Sequence, residues 1–388
     1  MLRVLTLSSL FPDETRRNFG IFVERQTLGL AALADVEVEV VAPVGLPPGP
    51  LALHPHYLAQ ARLPERETWK GLAIHRPRFM VAPGLGALNP WLMARALKPL
   101  LRRIREHFPF DVIDAEFFFP DGPAAARLGR ALGVPVSIKA RGADIHLWGK
   151  TRGCRGQILR AGKAAGGLLA VSAALKADMT ALGLPGEAIR VHYTGVDLDR
   201  FAPSADRAAA KAALGIEGPL LLSVGALVPR KGHDLAIRAM AALPDATLLI
   251  AGEGPARPAL AALIADLDVG DRVRLLGSQP HEALPGLGAA ADIGVLVSAS
   301  EGLANAWLES IACGTPVVIS DAGGAAELVD RPAAGRIVTR TPEAIAAAVR
   351  DILAAPPAPD EVRAVAERFT WGANAAALRA HLAGIAGR

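Results

Sequence analysis

Residues 293–324, IGVLVSASEGLANAWLESIACGTPVVISDAGG, read as a strand, a polar loop, a helix and a second strand. Ile293–Val297 is a short apolar run that breaks at Ser298 and Ser300. Asn305–Cys313 carries its apolar residues at helical spacing, Gly314 ends it, and Pro316–Ile319 is apolar again. Strands this short and apolar throughout, alternating with helices, belong to a parallel sheet covered on both faces. The rhythm extends upstream. Leu220–Gly225, Thr247–Ala251 and Val273–Leu276 are strands, with helices at Asp234–Ala242 and Pro258–Leu267 between them. The first half repeats it: strands Val4–Leu7, Val36–Val41, Asp111–Asp114, Val134–Ile138 and Gly167–Val171, and helices Ile21–Leu33 and Gly122–Leu132. Ser172 then caps a helix that ends before Gly183. The fold class is α/β in two domains, expected at 1–197 and 198–370. The break at Asp197–Pro203 and the Lys/Ala-rich helix behind it place the linker near 198–216. A final helix, about Asn374–Ile385 within 371–388, can pack back on the first domain or on the second; its periodicity does not decide.

The 388 residues exceed what one core usually supports, and 51% of them are hydrophobic, enough to fill two. Cys154 and Cys313 are far apart and match no metal-ligand spacing, which points to a reducing compartment. The opening MLRVLTLSSLF is too short an apolar run for a signal peptide and reads as a buried strand. No stretch reaches the roughly 18 apolar residues that cross a bilayer. Charge is uneven: residues 1–200 hold 26 Lys/Arg against 18 Asp/Glu, and the remainder 16 against 20. A basic first domain suits an anionic partner. Nucleic acid is not the expected partner: aromatics are only 5% of the chain and no recognisable reader module stands out.

In open α/β sheets ligands bind at loops beyond the strands' carboxyl ends, where helix N-termini and unpaired N–H groups converge. Four such loops carry chemistry. In Gly225–Gly232 (GALVPRKG), Arg230 and Lys231 can hold a diphosphate or form a solvated basic turn. The small residues around Glu253 in Gly252–Gly254 allow close backbone approach. Ser300, Glu301, Gly302, Leu303, Ala304 and Asn305 lead to Glu309 on the following helix. Glu309 suits vicinal hydroxyls such as those of a ribose, and Glu301 suits another polyol; the alternative is a helix cap and a solvated carboxylate. Gly323 and Gly324, with Glu327 beyond, form an anion nest at a helix start.

Taken together, Glu301–Val318 (EGLANAWLESIACGTPVV), with two glutamates separated by seven residues, resembles the signature of the retaining nucleotide-sugar-dependent glycosyltransferases of family 4, also called group 1. Gly195–Val196–Asp197 with Phe201–Pro203 resembles that family's GVDxxxFxP segment. Lys231–Gly232 resembles its donor-loop KG, Gly323–Gly324 with Glu327 its GGxxE segment, and Gly20 its first glycine loop. The resemblance covers almost the whole chain. It implies the GT-B fold, two Rossmann-like domains facing a central cleft, the first binding the acceptor and the second the nucleotide-sugar. The implied reaction is retaining, metal-independent hexosyl transfer from a UDP- or GDP-sugar to a saccharide or lipid-linked hydroxyl, with no cofactor. Hinge closure across the linker is part of that expectation. Glu301, Lys231, Arg230 and Arg141 are the expected catalytic set. Gly20, Gly225, Arg230, Lys231, Gly252, Glu253, Gly302, Leu303, Asn305, Glu309, Gly323 and Gly324 are expected around the donor.

Two positions depart from the family pattern. Ala226 stands where an Arg often follows the glycine, and Arg141 in Ala140–Asp144 stands where a His is common. A guanidinium stabilises phosphate but does not accept a proton at neutral pH. These departures make a non-catalytic nucleotide-sugar-binding protein the alternative reading. Finally, Pro90–His107 sets Trp91, Leu92, Leu97, Leu101 and Ile104 beside Arg95, Lys98, Arg102, Arg103 and Arg105. Such a helix lies on an anionic membrane surface or packs one face on the core. The expected location is cytoplasmic, peripheral on the inner membrane; surface polysaccharide or glycolipid synthesis is the expected setting.

Overall fold

The computed structural model describes residues 1–81 and 84–388, which divide into two compact units, Met1–Thr194 with Trp371–Arg388, and Gly195–Thr370. In the first unit the strands are β1 (Leu2–Leu7), β2 (Val36–Val41), β3 (Val44–Leu46), β4 (Arg66–Trp69), β5 (Leu72–His75), β6 (Arg78–Met80), β7 (Val112–Ala115), β8 (Val136–Ala140), β9 (Gly167–Ala170) and β10 (Ile189–Val191). Eight of them form one sheet in the order β10-β9-β8-β7-β1-β2-β5-β4, and β3 pairs with β6 separately. All pairs are parallel except β4 with β5. The second unit holds β11 (Leu220–Val224), β12 (Thr247–Ala251), β13 (Val273–Gly277), β14 (Ile293–Leu296), β15 (Val317–Ser320) and β16 (Gly335–Val338). These make a wholly parallel sheet in the order β13-β12-β11-β14-β15-β16.

Each sheet has a point where the order reverses. After β1 the chain builds β2 on one side and later returns to lay β7 on the other; after β11 it builds β12 and β13, then returns to β14. Such a reversal opens a crevice beyond the carboxyl ends of the two central strands, because their outgoing connections diverge. The two switch points are therefore β1/β7 and β11/β14.

Local chemistry sets the element ends. Ser172 Oγ accepts from the Leu175 N–H at 3.1 Å and caps the helix Ala173–Leu182, and Gly183 ends it in the left-handed region. Residues 198–216, expected as linker, are instead built into the second unit. Asp206 caps the helix Arg207–Ala212, whose Arg207 donates to the Gly314 carbonyl at 3.0 Å and whose Lys211 pairs with Asp292 at 3.0 Å. The break at Asp197–Pro203 that suggested a linker lies just inside the second unit, and the Lys/Ala-rich helix behind it makes these long-range bonds. The last helix, Trp371–Ala386, lies on the first unit: Leu378 and Leu382 join Leu2, Val4, Leu30 and Val112 in one core cluster.

In the helix Asn89–His107, Met93, Leu97, Leu101 and Ile104 are buried, so the apolar stripe forms core, and Trp91, Arg95, Arg102 and Arg103 remain exposed. Among the described residues no helix is long and apolar enough to cross a membrane.

Candidate active site

The loops expected to carry chemistry in the second unit leave adjacent strands at the same edge of the sheet. The Gly225–Gly232 loop follows β11, Gly252–Gly254 follows β12, Ser298–Ala304 follows β14, and Asp321–Gly324 follows β15. Main-chain bonds join them. The Ala299 N–H donates to the Arg230 carbonyl at 2.7 Å, that of Gly324 to Gly302 at 2.7 Å, and that of Leu227 to Glu253 at 2.9 Å. The glycines permit this closeness. A Cβ on Gly323, whose φ is +54°, would lie 2.4 Å from the carbonyl oxygens of both Glu301 and Gly302. One on Gly252 would lie 1.9 Å from that of Gly225.

The expected cations and one expected carboxylate meet here. Lys231 Nζ is 2.5 Å from Glu301 Oε1, and the two side chains are only 13% and 10% exposed. Arg230 Nη1 donates to the Ser300 carbonyl at 2.9 Å and lies 3.7 Å from the same carboxylate oxygen. Gly225 adjoins this cluster, with the Lys231 Cδ 3.8 Å from where its Cβ would be. Leu303 is buried, Asn305 opens the helix Asn305–Ala312, and Glu309 sits just over one turn along it. Glu309 is not part of the cation cluster. Its Oε1 pairs with His281 Nε2 at 2.9 Å beside a cavity of about 20 Å³, room for one water, lined also by Phe201, Val224 and Leu284. Glu253 points its carboxylate at Arg257, 3.3 Å away on the exposed surface, so it is the main chain of Glu253 that takes part in the loop cluster.

A buried imidazole supports the cation loop from beneath. His233 Nδ1 is 3.0 Å from Ser223 Oγ on β11, and its Nε2 is turned toward the Gly225–Ala226 backbone. Burial pushes its pKa down to about 4, so the ring is neutral at pH 7.

The first unit gathers its own polar set at β1/β7. Gly20, at φ +70°, opens the helix Ile21–Ala31 with its Cα against the Leu10 carbonyl; a Cβ would lie 1.3 Å from that oxygen. Arg141, just after β8, stacks over the Phe22 ring of that helix at 4.6 Å, donates from Nε to the Glu116 carbonyl at 2.8 Å, and pairs with the Glu116 carboxylate. Lys139 Nζ reaches the same carboxylate at 3.1 Å and Gln26 at 2.5 Å; Lys139 and Glu116 are fully buried. Burial pushes Glu116 upward, but Lys139 and Arg141 outweigh it and hold it well below the usual carboxylate range. Burial and the Glu116 charge push neighbouring Asp114 well above the usual carboxylate range. Asp144 braces the loop by accepting from the Phe118, Arg141 and Gly142 N–H groups at 2.8–3.1 Å. Arg141 is thus a braced cation in the position considered for a proton acceptor. His146 pairs instead with Asp178 at 2.9 Å.

Sequence reasoning missed His281, His233, Glu116 and Lys139. A signal existed for the last two, charged residues in and beside the short, largely apolar strands β7 and β8; the register pairing Ala115 with Ile138 places them next in line. His281 had none, since its partner is 28 residues away.

The chain matches the family model for group 1 glycosyl transferases over residues 206–369 and that for glycosyltransferase family 4 over residues 20–200. It is 28% identical to a putative teichuronic acid biosynthesis glycosyltransferase, TuaC, of Bacillus subtilis, over 97% of both chains. It is 34% identical to a GDP-mannose-dependent α-(1-6)-phosphatidylinositol monomannoside mannosyltransferase of Mycolicibacterium smegmatis over 61% of this chain. It is 37% identical to a D-inositol 3-phosphate glycosyltransferase of Mycolicibacterium gilvum over 50%. These two matches span 64% and 46% of those relatives' own lengths. In fold it resembles sucrose-phosphate synthase of Thermosynechococcus elongatus, with a TM-score of 0.76 at 21% identity over 98% of both chains. It also resembles Anabaena HepE in complex with UDP and glucose, with 0.75 at 21% over 99% of this chain and 100% of that one. With two reversing sheets, the first parallel but for one edge strand and the second wholly so, a cation and glycine cluster at the second, and a family model matching each half, the chain belongs to the GT-B glycosyltransferases of the group 1 and family 4 kind.

Proposed function

We propose that the chain is a retaining glycosyltransferase. It moves a hexosyl group from a UDP- or GDP-linked donor to a hydroxyl of a saccharide or lipid-linked acceptor, in surface polysaccharide or glycolipid synthesis. The observation that carries this reading is the meeting of Arg230, Lys231 and Glu301 on glycine-lined loops at the β11/β14 switch point, with Glu309 on the helix that follows. As the anomeric carbon–oxygen bond breaks, negative charge grows on the departing diphosphate. Lys231, Arg230 and loop N–H groups stabilise it in place. Arg230 supplies the second cation that Ala226 does not. Glu309 takes the ribose hydroxyls, and Glu301, oriented by Lys231, contacts the sugar. The acceptor oxygen attacks from the face the diphosphate leaves, so its proton passes to the departing oxygen and configuration is retained. Arg141, fixed by Glu116 and Phe22, contributes positive charge on the acceptor side, with Gly20 letting its own loop pack against the Leu10 carbonyl. Similarity to the phosphatidylinositol monomannoside mannosyltransferase and to the teichuronic acid glycosyltransferase TuaC supports a lipid-linked or polysaccharide acceptor.

The test is a nucleotide-sugar panel read by binding, followed by turnover with lipid-linked and free saccharide acceptors. Lys231→Ala and Glu309→Ala both weaken donor use; normal activity in both overturns the donor site. Donor binding without turnover across the acceptors favours the non-catalytic alternative. Cytoplasmic, peripheral placement on the inner membrane belongs to the same proposal. It is supported by exposed Leu85, Leu88 and Trp91 at one end of the Asn89–His107 helix, whose Arg95, Arg102 and Arg103 are exposed. Binding to anionic liposomes should weaken with salt and after Arg102→Glu and Arg103→Glu; negligible binding throughout removes this part.

A further inference from the structure

We infer that His281 is a positioning residue that holds the Glu309 carboxylate ready for ribose hydroxyls, with Phe201 as the wedge that holds His281. The inference rests on the reading of Glu309 as the nucleoside carboxylate. A glutamate side chain turns about several bonds, and freezing it when ligand arrives weakens binding; a partner that fixes it beforehand removes that cost. His281 is such a partner. It comes from the loop after β13, is buried, and sets Nε2 2.9 Å from Glu309 Oε1. An ionised carboxylate only accepts, so Nε2 carries the hydrogen and donates it, and Oε2 is the oxygen left for a ligand hydroxyl.

The imidazole is itself fixed. Phe201, 2% exposed, meets it edge to face, with ring centres 5.5 Å apart and planes at 72°. Arg363 ties the Phe201 segment to the helix that carries Glu309. Its Nη1 donates to the carbonyls of both Phe201 and Ala312 at 2.6 Å, and its Nη2 to that of Leu198 at 2.7 Å. Ala312 is the last residue of that helix. Backbone, wedge, imidazole and carboxylate thus form one continuous brace, and the Phe201–Pro203 segment gains a role in the donor site.

The experiment titrates the full chain with UDP, GDP and ADP and with their 2′-deoxy and 2′,3′-dideoxy counterparts, by calorimetry. Wild type should prefer its ribonucleotide by about tenfold or more, as expected for a hydrogen bond to a charged group. His281→Ala and Glu309→Ala should each shrink that preference, leave the deoxy ligands' affinity little changed, and fail to add in the double variant. His281→Gln, which retains an N–H donor, should keep part of the preference, and it replaces His281→Ala should the alanine variant not fold. An unchanged ribose preference in the His281 variant, or additive losses, overturns the inference alone. A wild type that binds none of the nucleotides overturns the donor-site reading, and this inference with it.

Discussion

Replacing Lys231 with alanine should damage stability and catalysis by separable amounts. Glu301 then loses its partner at 2.5 Å and keeps only Arg230, at 3.7 Å and nearly half exposed. Removing one partner of a fully buried ion pair costs about 3–5 kcal/mol, and exposed pairs contribute about 0–1 kcal/mol. At 10% exposure, with a second cation nearby, Glu301 falls between these limits, and a loss of roughly 1–2 kcal/mol is expected. The catalytic loss is larger. A donor aimed at the developing diphosphate charge contributes about 3 kcal/mol, on the order of a hundredfold in kcat. Adding Glu301→Gln removes the uncompensated charge, so the double variant should regain most of the stability and none of the rate. Urea denaturation and initial rates with the donor that wild type uses would measure the two. The reasoning is refuted by a Lys231→Ala rate within about threefold of wild type, a change of under 1 kcal/mol. A double variant that recovers its rate together with its stability would refute it equally.

Gly323→Ala forces a left-handed φ of +54° on a residue with a Cβ and sets that atom 2.4 Å from two carbonyls. A loss of about 2 kcal/mol or more is expected by denaturant melting, with weakened donor binding; an unchanged midpoint counts against the loop packing. The His233 pKa falls from 6.5 unfolded to about 4 folded, so its neutral burial adds stability above pH 6.5 that is lost as pH falls toward 4. Across that window wild type should lose roughly 3 kcal/mol more than His233→Leu, and parallel curves would contradict this. Asp121 shifts the opposite way, from 3.8 to about 7 on burial, with the Ser9 N–H donating to it at 2.8 Å. Its stabilising protonation is lost as pH rises through 7, so wild type should weaken relative to Asp121→Asn between pH 4 and 7.

Much of both sheets was legible because burial on two faces leaves a local mark. Thr247–Ala251 is a strand over the limits its apolar run predicts, Val36–Val41 is one over its valine-rich alternation, and Ser172 caps where its hydroxyl and the following periodicity predict. The edge elements were not legible. β4, Arg66–Trp69, is mostly polar because its outer edge and one face are solvated, and β3 and β6 are three residues each, too short for a period to register. Segment 198–216 misled for a related reason: a break at Asp197–Pro203 and a short Lys/Ala-rich helix look in sequence like a connection, while Arg207 and Lys211 bond to residues far along the chain.

The residue types and their spacing determined by themselves that this is a two-unit α/β chain, with cations, glycines and one carboxylate on loops after parallel strands and a second carboxylate on the helix that follows one of them. Each of those signals is read within about a dozen residues of chain, the range over which helix and strand periods act. Only the tertiary structure decided that Lys231 engages Glu301 while Glu309 engages His281, and that Arg141 rests on a carboxylate and an aromatic ring rather than standing free. Pairings of this kind depend on strand order and on which loops the two reversals bring together. No local stretch of chain carries that information, because it arises only when strands distant in sequence lie side by side.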